Sequence, residues 1–102
     1  MNTVVIRPVA RQDLEDIFVW IGADNLEAAE RFLHEAEDTF ALLAAHPLLG
    51  RQRRFRAGDL RGIRSFPVLR FPNYLVFYQT AGTTVEITRV IHGSRDLPTV
   101  FL

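Results

Sequence analysis

The sequence predicts an α+β domain of order β-α-α-β-β-β, a helical hairpin packed on a small, mostly antiparallel sheet. Three observations carry that prediction. Near Ala10 the apolar spacing changes from weak alternation to a period of about 3.6. Two amphipathic stretches then follow each other across a short polar link, as in an antiparallel helix pair. After an aperiodic arginine-rich segment, three β-type runs fill the second half of the chain.

The first strand is NTVVIRP, residues 2–8, rich in Val and Ile and stopped by Pro8. In the first helix Leu14, Ile17, Phe18 and Ile21 fall at i, i+3, i+4 and i+7. Asp13, Glu15 and Asp16 lie largely elsewhere on the wheel, and early acids suit the positive end of the helix dipole. This helix ends near Gly22. The second opens at ADNLEAAE, where Asp24 or Asn25 caps the orphan amides and Glu27 sits in the first turn. Its apolar stripe runs from Ala29 and Phe32 to Leu43 and Ala44. His46 lies in the last turn, and Pro47 ends the helix.

Residues 47–59, PLLGRQRRFRAGD, have no period and read as a solvated basic loop. Residues 60–70, LRGIRSFPVLR, form a strand interrupted by Pro67, the mark of an edge or a bulge. Residues 73–79, NYLVFYQ, are apolar on both faces, as in a central strand covered on both sides. The turn TAGT leads into TVEITRVIH. Its alternation assigns Val85, Ile87, Arg89 and Ile91 to one face and Glu86, Thr88, Val90 and His92 to the other.

With 102 residues, 48% of them hydrophobic and 24% charged, the chain reads as a single globular, soluble domain over residues 1–102. It has no cysteine, so disulfides and thiolate metal sites are excluded. No His/Asp/Glu cluster has ligand spacing and no glycine-rich phosphate loop is visible, so neither a metal nor a cofactor is expected. The longest apolar run falls far short of the roughly 20 residues of a membrane span. The N-terminal stretch has no signal-peptide pattern. The expectation is a cytoplasmic protein with no membrane partner.

The net charge of zero hides a polarised chain. Residues 11–50 carry two arginines against nine acids, a net of −7, and residues 51–102 carry nine arginines against three acids, a net of +6. All twelve basic residues are arginine, a planar fork suited to carboxylate or phosphate.

In ARQDLEDIFVWI, NLEAAERFLHEAEDTFALLAAHPLLGR, GIRSFPV, YLVFY and VEITRVIHGSRDL, taken in that order, the chain resembles the ParE/RelE superfamily of toxins from bacterial type II toxin–antitoxin systems, and its ParE branch more closely. The resemblance spans nearly the whole chain. It implies the RelE/ParE-like toxin fold and a toxin held inactive by a ParD-like antitoxin in a hetero-oligomer. ParE-like members are linked to poisoning of DNA gyrase, with roles in plasmid maintenance and stress response. RelE-like members cut mRNA on the ribosome without a metal.

Cutting RNA by 2′-OH attack needs a base, an acid and cations for the developing charge. Arg64, Arg89 and Arg95 offer cations, and His92 offers acid or base at neutral pH. The tyrosine common after the last strand of RelE-like nucleases is missing from GSRDLPTVFL, and no lysine is present. A gyrase poison that is not itself an enzyme is therefore expected, with the endoribonuclease as the alternative and an inactive binding module behind both. The expected target- and partner-binding residues are Arg53, Arg54, Arg64, Arg70, Arg89, His92 and Arg95, with Trp20 and Tyr78. Each has an ordinary reading: His92 as a polar strand end, the loop arginines as solvated surface, Arg64 as half of a structural ion pair. Arg89 either meets a carboxylate from the acidic first half or belongs to an open functional face. Direct nucleic-acid binding by the chain alone is not expected, since it lacks a helix-turn-helix pattern and a stacking platform.

Overall fold

The computed structural model describes residues 2–54 and 62–94. The elements are β1 (Thr3–Ile6), α1 (Pro8–Gly22), α2 (Leu26–Ala45), β2 (Arg51–Gln52), β3 (Arg64–Val68), β4 (Phe71–Ala81) and β5 (Thr84–His92). They form a mixed five-stranded sheet of order β1-β5-β4-β3-β2. Only the β1–β5 pairing is parallel. Both helices pack on one face of the sheet, with Phe32, Phe40 and Leu43 of α2 and Ile17 of α1 in a common core with Val76, Tyr78, Val85 and Ile87. No helix among the described residues is long and apolar enough to cross a membrane.

Pro8 does more than stop β1. It opens α1, where its missing N–H costs nothing because the first amides of a helix have no partner anyway. The earlier start leaves the first turn without an acid, so the expected dipole interaction is absent. Asn25 caps α2 by accepting from the Ala28 N–H at 3.0 Å, and His46 is its C-cap. At mid-helix, the Thr39 hydroxyl donates to Glu35 O at 2.7 Å and accepts from Leu69 N at 3.0 Å, tying α2 to the β3–β4 turn.

Three expectations need correction. The stretch expected as a loop over 47–59 contains β2, whose two residues pair with Arg64 and Ser65 of β3; residues 55–59 of that stretch lie outside the described residues. Asp13 is buried in α1 and not on its solvent side. The strict alternation of the last strand breaks at Thr88. There the register steps from Phe77↔Arg89 to Tyr78↔Ile87, leaving Thr88 as the extra residue of a bulge. Its hydroxyl donates to Phe77 O at 3.0 Å. A one-residue insertion exchanges the faces, so Val90 joins Val85 and Ile87 in the core instead of opposing them.

The Pro67 signal is borne out twice. The β3–β4 register shifts between Pro67 and Val68. β2 also stops short of Pro67, so no neighbour on that side asks for its missing N–H. β4 is the middle strand, with Val76, Phe77 and Tyr78 all buried.

Candidate functional site

The structure distributes the candidate side chains over several places. The first is the turn between α2 and β2. Tyr78 donates its hydroxyl to Pro47 O at 2.7 Å and accepts from Gly50 N at 2.8 Å. Arg64, its cross-strand partner, donates to Gly50 O at 2.8 Å. Both residues therefore hold the backbone that leads into the basic segment. Tyr78 is 0% exposed, so the expectation that it meets a partner is corrected: it acts from inside. Burial raises its pKa, opposed in part by the Gly50 N–H and by Arg64.

The second place is the strand edge beyond β2. Arg53 donates through Nε to Ser65 Oγ at 2.7 Å, with its guanidinium 5.8 Å from the Phe77 ring centre. Burial, with Arg51 beside it, pulls its pKa below the usual value. Arg54 is exposed. In the third place, at the β3–β4 turn, Arg70 adopts φ 62° and pairs with Glu35 of α2 at 2.6 Å.

Arg89 joins α1 to β5. Its Nε and Nη2 donate to Asp13 Oδ2 and Oδ1 at 2.7 and 3.0 Å, and hydrogen bonding to Asp13 raises its pKa. Of the two readings of Arg89, the carboxylate from the acidic half is the one observed.

The fourth place is a cleft of about 530 Å³ beside the end of β5, lined among others by Asp16, Trp20, Tyr74, His92 and Ser94. His92 pairs with Tyr74 across the strands and meets its ring edge-on at 5.2 Å. The Ser94 N–H donates to His92 Nδ1 at 3.1 Å, so Nδ1 is the unprotonated nitrogen of the ring. Arg95 lies outside the described residues. Arg64 pairs with Tyr78 and His92 with Tyr74, four residues apart along β4, or roughly 13 Å of strand. Arg64 and His92 are thus not neighbours.

A further surface lies between the helices. Leu14, Phe18 and Val19 of α1 face Leu33 and Phe40 of α2 across a groove of about 430 Å³, with Arg11, Glu15 and Glu37 also lining it. Val19 is 70% exposed. Among the described residues no group of three or more His, Asp or Glu is placed to hold a metal ion.

Sequence reasoning missed Asp13, Asp16, Tyr74, Ser65 and Gly50. Asp13 had a usable signal, since it lies three residues after Ala10 and four before Ile17, the other two buried residues of α1. Gly50 had none: only the position of the Tyr78 ring explains it.

Two helices on one face of a five-stranded mixed sheet is the α+β fold of ParE and RelE toxins. A chain of the chromosomal ParDE toxin–antitoxin system from P. aeruginosa superposes with a TM-score of 0.71 at 17% identity, over 90% of this chain and 96% of that one. A chain of the RelBE2 toxin–antitoxin complex from Mycobacterium tuberculosis is 31% identical, with a TM-score of 0.57 over 89% and 96% of the two chains. Residues 4–97 match the family of the ParE toxin of the type II toxin–antitoxin system parDE, and the chain belongs to that family. No curated protein matches the sequence.

Proposed function

We propose that the protein is a toxin that a ParD-like antitoxin neutralises and that poisons DNA gyrase by binding it, without breaking bonds itself. The observation that supports this most is how the described polar groups are already engaged. Arg64 is bound to backbone carbonyls, Arg70 to Glu35, Arg89 to Asp13, and His92 Nδ1 to Ser94. Acid–base cleavage of RNA would need several of these to converge on one phosphate, whereas Arg64 and His92 stand on different parts of the sheet.

In this reading the antitoxin arm folds as an amphipathic helix into the α1–α2 groove, its apolar side against Phe18, Val19 and Leu33 and its charges against the rim. Arg53, Arg54, Arg95 and the HGSR stretch remain as the target-facing set. Poisoning requires tighter binding to the cleaved DNA–gyrase state than to the resting one.

The second reading, a ribosome-dependent mRNA endoribonuclease, is favoured by the 31% identity to a RelBE2 chain and by the place of His92 on an open cleft. Induced expression with and without the adjacent gene separates the two readings. Loss of plasmid supercoiling with intact transcripts supports gyrase as target. Transcript cleavage that stops on His92→Ala would transfer the proposal to the nuclease.

A further inference from the structure

The flank of α1 that faces the end of β5 carries two residues, Asp16 and Trp20, to which the toxin reading gives no role. Asp16 and Trp20 stand one helical turn apart, side by side at about 6 Å. Across the cleft are Tyr74 and His92, their rings edge-to-face at 84°. Trp20 is 75% exposed, the highest value together with Leu48 among the exposed large apolar residues. The imidazole is fixed in orientation, because Ser94 holds Nδ1 through both its N–H and its hydroxyl, at 3.1 and 2.7 Å.

The charge of the cleft is as specific as its rings. Asp13, which also lines it, is neutralised by Arg89. Asp16 accepts only from the neutral side chain of Gln12, at 2.9 Å, and forms no ion pair among the described residues. Among the described residues, one carboxylate without an ion partner therefore sits beside three aromatic rings.

We propose that this cleft is a binding subsite for an arginine side chain presented by an extended segment of a partner protein. A guanidinium stacks flat on an indole while offering a fork of N–H donors to a carboxylate, and the cleft supplies both surfaces. Lysine meets the charge but not the plane. A phosphate or carboxylate ligand is repelled by Asp16, and a purely apolar one leaves that carboxylate desolvated without a partner. The subsite lies on the opposite flank of α1 from Phe18 and Glu15, so it does not depend on an antitoxin arm in the inter-helix groove.

Trp20 is the only tryptophan of the chain, so its emission reports occupancy directly. The test titrates acetyl-Gly-Arg-Gly-amide into the purified full chain, with the lysine and the neutral citrulline peptides as controls. The expected result is a saturable change in Trp20 emission with the arginine peptide, weaker binding of the lysine peptide and none of the citrulline peptide. Asp16→Asn, an exposed change that leaves the core untouched, lowers the arginine affinity about tenfold. His92→Ala gives a second, smaller loss. Absence of a saturable change, an equal response to citrulline or lysine, or an unaltered affinity in Asp16→Asn would overturn the proposal.

Discussion

Asp13 and Arg89, 76 residues apart in the chain, meet in a two-pronged ion pair whose carboxylate also accepts the Val90 N–H at 3.0 Å. The last β1 partner of β5 is Ile87, so Val90 lies past the end of the parallel pairing. Asp13 thus takes over where β1 leaves off, and it fastens the helical hairpin to the strand that ends in His92.

That arrangement predicts a large cost for removing one partner. Asp13→Ala takes both prongs of the ion pair from a mostly buried guanidinium and strands the buried Val90 N–H, and the expected loss is about 3–5 kcal/mol in urea unfolding. Replacing both partners with apolar residues, Asp13→Leu with Arg89→Met, recovers more than half of it. A single-variant loss below about 1 kcal/mol, the size of a surface pair, would show that the contact does not anchor α1.

The Tyr78 hydroxyl bridges Pro47 and Gly50 from inside the core. Tyr78→Phe strands the Gly50 N–H, and about 1–3 kcal/mol of stability should go with it. The same hydroxyl sets an alkaline limit. Burial raises its pKa above the ordinary 10.0, so the unfolded chain gives up this proton first. The contribution is intact below about pH 10 and is lost as pH rises through the folded value. Tyr74, also raised by burial, adds a loss of the same sign. Stability measured from pH 8 to 11 should fall less steeply in Tyr78→Phe than in the parent.

Gly50 is small because Tyr78 is there. A Cβ at this position would lie 2.5 Å from Oη and 2.7 Å from Cε1 of a fixed, buried ring. Gly50→Ala is expected to cost about 1–3 kcal/mol by overpacking. Adding Tyr78→Phe should not rescue it, because the ring carbon still collides. Full rescue in thermal unfolding would place the conflict at the oxygen alone.

Arg70 is the one non-glycine residue with positive φ among the described residues, at 62°. Its pairing with Glu35 raises its pKa, first through the hydrogen bond and then through charge. Arg70→Gly and Arg70→Ala lose that pair equally and differ only in backbone tolerance. The glycine variant should therefore melt higher than the alanine variant. Equal melting points would mean that the turn relaxes out of the left-handed region.

Much of the fold was legible because period, caps and breakers agreed with one another. Asn25, Pro47 and Pro67 all act where their chemistry put them. What escaped the sequence was tertiary. A two-residue strand such as Arg51–Gln52 has no pattern of its own and exists only because β3 lies beside it. The bulge at Thr88 cannot be seen in an alternation that looks unbroken, yet it decides that Val90 and not Ile91 joins the helix-facing core cluster. The candidate residues were found by type, but their separation was not: one list of arginines resolves into a turn clamp, a strand edge, a surface pair and a core anchor.

The groove between α1 and α2 allows antitoxin binding and toxicity to be uncoupled. Val19 is 70% exposed, lines that groove and is far along α1 from the Asp13 anchor, so Val19→Glu should change folding stability by less than about 0.5 kcal/mol. A carboxylate there must be desolvated by any apolar helix face that docks on it, and about 2 kcal/mol, some thirtyfold in affinity for the neighbouring gene's product, is the expected penalty by calorimetry. Growth arrest on induction should persist in the variant, and the antitoxin should rescue it poorly. Undiminished antitoxin affinity would move the arm's docking site off the helical hairpin, and joint loss of affinity and toxicity would mean that antitoxin and target share this face.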